Sequence, residues 1–208
     1  MHHNKLYAIE QHDQLLDLWR QQDVHNLSVV HMDFHCDMRG LLINRERQRA
    51  YGISDFLWGI DEGNFLTHAI LEKKVSKLLW IHQIPGGRDY DHGTVKYESD
   101  AFALSTGWVS KHLSKHFVPF EYRVIQLEDW DGFQDEDVLD IDWDYFACKQ
   151  YSTSSIDHRV ATFLSTKFLS IPPQTVVCYS PNYSHPSREQ FENFISELAI
   201  KFSAEIIR

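Results

Sequence analysis

Two short clusters of aspartate and histidine each follow an apolar segment of the chain. The first is Asp33-Phe34-His35-Cys36-Asp37, after residues 27–32, and the second is Asp140-Ile141-Asp142-Trp143-Asp144, after residues 138–139. Because side chains alternate along an extended backbone, residues at positions i, i+2 and i+4 project toward the same side. Carboxylates crowded in this way repel one another unless cations balance them. The two clusters therefore predict a metal site at neighbouring strand ends.

The donor types indicate which cations such a site would hold. Carboxylate-rich sites with some imidazole suit Mn or Mg better than Zn or Cu. A water held between two divalent cations loses a proton far more easily than bulk water and becomes a nucleophile at neutral pH. The residue types thus favour metal-dependent hydrolysis.

Composition narrows the class of protein. The chain has 208 residues, which fits a single domain over residues 1–208, and its formal net charge of −10 argues against a general nucleic-acid binder. Three cysteines lack CxxC spacing, the N-terminus lacks an apolar signal core, and no apolar stretch is long enough to span a bilayer. We therefore expect a cytoplasmic protein that binds neither nucleic acid nor membrane.

Strand-like and helix-like segments alternate along the chain. Predicted strands cover residues 6–10, 27–32, 77–84, 122–127, 138–142 and 176–179. Predicted helices cover residues 14–21, 64–73 and 156–169. Segment 39–51 is predicted to be a loop or short helix, and segment 88–99 a loop or hairpin. This alternation, with strands that are nearly all apolar, predicts a three-layer α/β/α domain with a mostly parallel sheet. Ligands of such folds bind beyond the carboxyl ends of the strands, where both acidic clusters lie.

A last helix is predicted near the C-terminus. Ser187 and Gln190 have the spacing of a capping box. An apolar stripe follows at helical spacing, formed by Phe191, Phe194, Ile195, Leu198, Ala199 and Phe202. We expect this helix to pack on the sheet.

Three motifs, in order along the chain, resemble those of the ureohydrolase (arginase-like) superfamily. Asp33 to Asp37 is similar to the D-x-H-x-D element of that superfamily, and Asp140-Ile141-Asp142 is similar to its later D-x-D element. Glu10-Gln11-His12-Asp13 is similar to its early Gly-Asp-His-Ser element. The resemblance spans residues 6–200 and implies an arginase/deacetylase-like fold.

The resemblance also implies a set of six ligands for two Mn²⁺ ions. One ion would be held by His12, Asp33, Asp37 and Asp140. The second would be held by His35 and Asp142 together with the bridging Asp33 and Asp140. Four carboxylates match the charge of two divalent cations.

The small size, the run from Asp140 to Phe146 and the segment Tyr179-Ser180-Pro181 are similar to a compact branch of the superfamily that includes peptide arginases. This similarity implies hydrolysis of a guanidino C–N bond, with arginine residues of ribosomally made precursor peptides converted to ornithine and urea released. Alternatives are hydrolysis of a small guanidino compound, deacetylation of an amine, or a non-catalytic module in which metal only joins strands.

Departures from the family pattern concern substrate binding. Cys178 stands near the position where free-arginine enzymes have a glutamate that pairs with the guanidinium. A buried guanidinium needs an acidic partner, so Asp144 and Glu62 are candidates for that role. Leu66 stands where the family has a histidine, which leaves His68 as the candidate proton donor.

Two further features flank the predicted site. His31 shares the side of Asp33 but lies deeper in the strand, which favours a hydrogen-bonded histidine behind the ligands over a ligand itself. The connection between Asp37 and Gly63 is rich in arginine and could bind the backbone of a peptide.

Overall fold

The structure is a computed structural model that describes residues 4–38, 60–82, 121–149, 153–168 and 170–208. The strands are β1 (Asn4–Ile9), β2 (Leu27–Met32), β3 (Val75–His82), β4 (Glu121–Gln126), β5 (Val138–Asp142), β6 (Gln174–Cys178) and β7 (Ala204–Ile207). The helices are α1 (Gln14–Gln21), α2 (Phe65–Leu71), α3 (Asp144–Ala147), α4 (Ile156–Ser165) and α5 (Arg188–Phe202). Short 3-10 turns cover Leu127–Asp129 and Thr153–Ser155. Among these helices, none has the length and apolar character needed to cross a membrane.

The strands form one seven-stranded sheet in the order β4-β3-β2-β5-β6-β1-β7. Each pair of neighbouring strands in it is parallel. In the centre of the sheet, His31 of β2 is in register with Asp140 of β5, and Cys178 of β6 is in register with both Asp142 and Ile9. The carboxyl ends of β2, β5, β6 and β1 therefore lie side by side.

Apolar strand residues alternate between two cores on opposite faces of the sheet. Val29, Trp80, Val138 and Val176 pack with residues of α1 and α2, such as Trp19 and Phe65. Val30, Leu139, Ile141 and Val177 pack with residues of α4 and α5, such as Phe163 and Phe194. Full burial of each such side chain contributes roughly 1.5–3 kcal/mol. This two-faced core confirms the predicted α/β/α layers and the parallel sheet.

The predicted bounds of α1, β2 and β5 agree with the structure, and the other predicted ends differ by up to four residues. The helix predicted to reach residue 169 ends at Ser165, because Thr166 already has an extended backbone. The predictions for segments 39–51 and 88–99 lie outside the described residues. Two short elements were not predicted, α3 and β7, and each has only four residues.

The capping-box prediction for Ser187 is wrong, although α5 does begin directly after this residue. The Ser187 side chain makes no capping hydrogen bond. Its hydroxyl instead accepts a hydrogen bond from Trp143 Nε1 at 2.7 Å and donates to the carbonyl of His185 at 2.9 Å. The Ser187 hydroxyl thus bonds to Trp143, which is distant in the sequence, instead of to a backbone N–H of its own helix. The apolar stripe of α5 is buried as predicted.

Candidate metal centre

Three chain segments bring six side chains of metal-ligating type to the centre of the sheet edge. His12 lies in the turn between β1 and α1, the three residues Asp33, His35 and Asp37 follow β2, and Asp142 ends β5. Asp144 begins α3 directly afterwards. All six side chains are buried, and the most exposed of them, His35, is only 8% exposed. The structure therefore brings together donors that lie up to 132 positions apart in the sequence.

A first donor group surrounds the Nδ1 atom of His12. This nitrogen lies 2.9 Å from Asp37 Oδ2, 3.1 Å from Asp142 Oδ2 and 3.3 Å from Asp33 Oδ2. Each of the four residues offers one ligand atom within 4.8 Å of the others. One nitrogen and three carboxylate oxygens thus face a common point, as the ligands of a hard divalent cation do.

A second donor group adjoins the first and consists of Asp33, His35 and Asp144. His35 Nδ1 lies 2.9 Å from Asp144 Oδ2 and 3.7 Å from Asp33 Oδ1. Asp33 belongs to both groups, and its two oxygens face different members. A carboxylate placed in this way can bridge two cations.

The position of Asp140 departs from the predicted ligand set. Its Oδ1 lies 2.8 Å from His12 Nε2 and its Oδ2 lies 2.8 Å from His31 Nδ1. Asp140 thus contacts the nitrogen of His12 that is directed away from the first donor group, and both its oxygens are taken. Because Asp140 lies one pleat deeper in β5 than Asp142, the bridging role predicted for it does not fit this geometry.

Asp144 also lies elsewhere than predicted. It was a candidate partner for a substrate guanidinium, but its carboxylate faces His35 and belongs to the second donor group. The backbone N–H of Phe34 donates to Asp144 Oδ1 at 3.2 Å, and the N–H of Asp144 donates to Asp142 Oδ1 at 3.0 Å. The turn into α3 therefore holds this carboxylate against the first cluster, so the D-x-D pair at the site is Asp142 and Asp144.

Other contacts hold the donors in place. The N–H of His35 donates to Asp33 Oδ1 at 2.6 Å, and Trp80 Nε1 donates to the Asp33 carbonyl at 3.0 Å. Asp37 has a φ of 50°, a left-handed conformation that aspartate tolerates better than most residues. This conformation turns the Asp37 side chain back toward His12.

Ser180 is a site residue that the motif analysis did not assign. Its hydroxyl donates to Asp142 Oδ2 at 2.6 Å, and its side chain is fully buried. Cys178 lies 3.2 Å from the same hydroxyl, and burial raises the pKa of its thiol, with a further contribution from Asp142. The one signal in the sequence was Tyr179-Ser180-Pro181, which carries no metal-ligand pattern of its own.

Burial in one place shifts the pKa of two carboxylates, Asp33 and Asp142, upward. Burial and the neighbouring carboxylates Asp37, Asp144 and Asp142 raise the pKa of Asp33 well above its ordinary value. Burial and Asp144 raise the pKa of Asp142 to about 6. Within the described ranges, histidines are the basic side chains that contact these carboxylates. Among the described residues of the site, carboxylates therefore outnumber basic side chains.

Histidine contacts have the opposite effect on two other carboxylates. Burial alone would raise the pKa of Asp37, but contact with His12 lowers it. Burial would also raise the pKa of Asp140, but His12 and His31 lower it to about 2. Burial alone would lower the pKa of His12, yet Asp140 and the contacts with Asp142 and Asp33 raise it well above its ordinary value.

Several donor atoms are buried without a hydrogen-bond partner among the described residues. They are His12 Nδ1, Asp33 Oδ2 and Asp144 Oδ2. His12 Nδ1 and Asp33 Oδ2 contact each other, and Asp144 Oδ2 contacts His35 Nδ1, but these contacts lack hydrogen-bond geometry. A buried polar atom left in this state costs about 1–3 kcal/mol. Cations at the two donor groups would satisfy all three atoms, so the residues present fit a pair of divalent metal ions.

Glu62 lies beside the first donor group. It is half-buried, its Oε1 accepts a hydrogen bond from Asn182 Nδ2 at 3.2 Å, and its Oε2 is buried without a hydrogen-bond partner among the described residues. Burial raises the pKa of Glu62, and the nearby charge of Asp37 acts in the same direction. Tyr183, which is 40% exposed, packs edge-on against the ring of His35 at 5.3 Å. These two residues form the outer rim of the site.

His68 does not belong to either donor group. It lies in α2, where the pKa of Glu72 is lowered first by a hydrogen bond from Arg20 and to a smaller extent by the charge of His68. The structure therefore places His68 beside Glu72. The prediction that it donates a proton to the leaving group gains no support from this position.

The chain shows structural likeness to solved proteins. No protein-family model matches the chain, and no curated protein matches its sequence. The solved structure of proclavaminate amidino hydrolase from Streptomyces clavuligerus is similar, with a TM-score of 0.46 and 14% sequence identity over 95% of this chain and 61% of that one. The chain thus spans about 61% of the length of that protein. A likeness of this size assigns neither an activity nor a metal to the chain.

Proposed function

We propose that this chain is a metal-dependent hydrolase of the arginase type, which holds two Mn²⁺ ions and converts arginine residues of ribosomally made precursor peptides to ornithine with release of urea. The observation that carries the proposal is the pair of donor groups that share Asp33. Two buried groups joined by one carboxylate, with unpartnered donor atoms in each, have the composition of a binuclear site.

The ligands proposed from the geometry differ in one residue from those implied by the motifs. His12, Asp33, Asp37 and Asp142 would hold the first ion. Asp33, His35 and Asp144 would hold the second. The four carboxylates balance the charge of two divalent cations, and their hard oxygen donors favour Mn or Mg over softer metals.

The chemistry follows from the charge of the site. When bound, two such cations lower the pKa of a water enough for it to act as a nucleophile at neutral pH. The proposed reaction would add water to the guanidino carbon of arginine and break the bond from this carbon to Nε, so that Nε would take up a proton and leave as the ornithine amine. The other product is urea.

Glu62 is the residue of this chain that we assign to the substrate cation. Its Oε2 has no hydrogen-bond partner among the described residues and lies at the rim of the first donor group. A carboxylate binds a guanidinium through charge-assisted hydrogen bonds, which are about twice as strong as neutral ones. The net charge of −10 also attracts a cationic side chain toward the site.

The outer rim of the site favours an arginine residue whose peptide backbone stays outside the site. Tyr183 is partly exposed while its ring contacts His35 inside the site. A side chain that reaches inward past Tyr183 could therefore keep its backbone at the surface. This arrangement supports a peptide substrate over a fully enclosed small molecule.

The activity is tested by incubating the Mn²⁺-loaded chain with an arginine-containing peptide and, separately, with free arginine. We expect urea, and a peptide mass lower by one cyanamide unit per converted residue, because hydrolysis replaces arginine with ornithine. Asp33→Asn is the matched variant, and it should retain the fold but lose turnover. Turnover of free arginine without turnover of any peptide would contradict the peptide assignment. Binding of Mn²⁺ without turnover of either substrate would contradict the hydrolase assignment.

The role of Glu62 is tested by Glu62→Gln, with Glu197→Gln on the exposed side of α5 as control. A charged hydrogen bond contributes about 1.5–3 kcal/mol, so we expect kcat/KM for an arginine peptide to fall by roughly tenfold to 100-fold. The Mn²⁺ content should not change, because Glu62 belongs to neither donor group. Equal kcat/KM values for Glu62→Gln and wild type would remove Glu62 from substrate binding.

A further inference from the structure

Asp140 and His31 form a buried polar pair between the two central strands. They are in register on β5 and β2, and both are 0% exposed. Each oxygen of Asp140 contacts a different imidazole at 2.8 Å, one from His31 and one from His12. The carboxylate therefore joins the strand pair to the turn that carries His12.

This contact determines which nitrogen of His12 faces the first donor group. An ionised carboxylate only accepts hydrogen bonds, so His12 Nε2 must carry a proton where it meets Asp140. When one ring nitrogen of a histidine is held in this way, the other is directed and kept available as a metal ligand. Here the other nitrogen is Nδ1, which faces Asp33, Asp37 and Asp142.

Neighbouring rings restrict the imidazole of His12 further. Phe65 packs on it with ring centroids 4.6 Å apart, and His31 lies at 5.4 Å. The second nitrogen of His31 lies 3.4 Å from Asp33 Oδ2. His31 thus contacts both Asp140 and the carboxylate that the two donor groups share.

A purely structural role explains this pair poorly. The preceding residues on the same face of these strands, Val29 and Val138, are apolar and buried. A buried carboxylate loses its hydration, and replacing buried ionic groups with apolar residues is often neutral or stabilising. The two positions therefore carry a polar pair in the part of the sheet where an apolar pair would stabilise the fold at least as well.

We propose that Asp140 and His31 are positioning residues that hold His12 with Nδ1 directed at the first metal ion. This proposal rests on the proposed metal site but not on the arginase activity. It gives Asp140 the role of orienting the ligand His12, in place of the role of a bridging metal ligand that the motif implied.

The test measures Mn²⁺ affinity of the metal-free full chain by titration calorimetry, with thermal unfolding in chelator as a check of folding. Asp140→Asn places an amide against His12 Nε2. The amide N–H₂ donates and cannot accept the Nε2 proton, so it favours the His12 tautomer in which Nε2 is unprotonated. His31→Phe removes both ring nitrogens, whereas His31→Asn keeps a donor at the position of Nδ1. Thr175→Val, which removes a buried hydroxyl from the neighbouring strand β6, is the control for general loss of a polar contact.

We expect Asp140→Asn and His31→Phe to bind Mn²⁺ about 10-fold to 100-fold more weakly than the wild type. His31→Asn and Thr175→Val should bind it with nearly wild-type affinity. Wild-type affinity in Asp140→Asn would overturn the proposal and leave the metal site intact, and so would equal losses in a folded His31→Asn and His31→Phe. Absence of Mn²⁺ binding by the wild type would overturn it together with the metal site. Weakened binding in Asp140→Asn, in a protein that releases no urea, would support this proposal while the arginase function fails.

Discussion

Two residues of the site, Asp142 and His12, indicate how the stability of the metal-free chain depends on pH. The pKa of Asp142 rises to about 6 in the folded chain because of burial and the charge of Asp144, and the pKa of His12 is raised mainly by Asp140 against the effect of burial. A group whose pKa is raised on folding stabilises the fold while it is protonated. That stabilisation is complete below the unfolded pKa and is lost as the pH rises through the folded pKa.

We therefore predict that the metal-free chain becomes less stable between pH 4 and pH 8, first through Asp142 as the pH rises from its ordinary pKa of 3.8 to about 6, and then through His12 above its ordinary pKa of 6.5. The loss should be on the order of a few kcal/mol, since each shifted pKa unit corresponds to about 1.4 kcal/mol. Urea unfolding in chelator at several pH values in this window measures it. In saturating Mn²⁺ the trend should be weaker or reversed, because cations then balance the carboxylates in place of protons. A stability in chelator that rises steadily from pH 4 to pH 8 would contradict the prediction.

At the scale of elements, α5 is tied to α3 by a side-chain bond that no local pattern shows. Trp143 is fully buried, and its indole N–H donates to Ser187 at the start of α5. The indole ring also packs against Phe191 and Phe194 of α5. Because Trp143 lies between the proposed ligands Asp142 and Asp144, this contact connects the packing of α5 to the position of the proposed metal site.

Replacing Ser187 with alanine should leave the Trp143 indole N–H buried without its partner. We expect the free energy of unfolding to fall by about 1–3 kcal/mol, measured by chemical denaturation. The control is Ser196→Ala, which removes an exposed hydroxyl bonded to Glu192 on the same helix and should change stability by no more than about 0.5 kcal/mol. Similar effects of the two substitutions would show that the Trp143 contact does not contribute.

At the scale of the whole molecule, the proposed cations join distant parts of the chain. Ligands of the first ion come from the turn after β1, the segment after β2 and the end of β5. These segments occupy the centre of a seven-stranded sheet whose strands β1 and β5 are separated by β6. A metal ion that binds only the folded arrangement stabilises all of these contacts at once.

Mn²⁺ should therefore raise the melting temperature and chelation should lower it. A ligand present at 100 times its Kd stabilises by about 2.7 kcal/mol, which corresponds to roughly 5–10 °C for a chain of this length. Differential scanning calorimetry with Mn²⁺ and with chelator measures the shift. Asp33→Asn, which removes the shared carboxylate, should abolish it. The same melting temperature for wild type in both conditions would count against the binuclear site.

Local patterns of the sequence determined which segments form the fold and which residue types meet at its edge. Short apolar runs defined β2 and β5, and an apolar spacing of 3.6 residues defined α1, all with correct bounds. The polar residues that follow β2 and β5 marked the carboxyl edge of the sheet. Alternation along a strand depends only on neighbours in the chain, so it could be predicted without knowledge of the partners. Short elements such as α3 and β7 could not, because four residues carry too little periodicity.

Only the tertiary structure decided which aspartates of the segment from Asp140 to Asp144 belong to the two donor groups. Asp140, Asp142 and Asp144 share one parity, so alternation cannot distinguish them; the register of β5 with β2 places Asp140 opposite His31, and the turn into α3 returns Asp144 to the site. Glu62 and Ser180 reach the site through contacts with residues more than 30 positions away. Depth along a sheet and contacts between distant segments depend on how strands pair, and strand pairing is a property of the assembled fold.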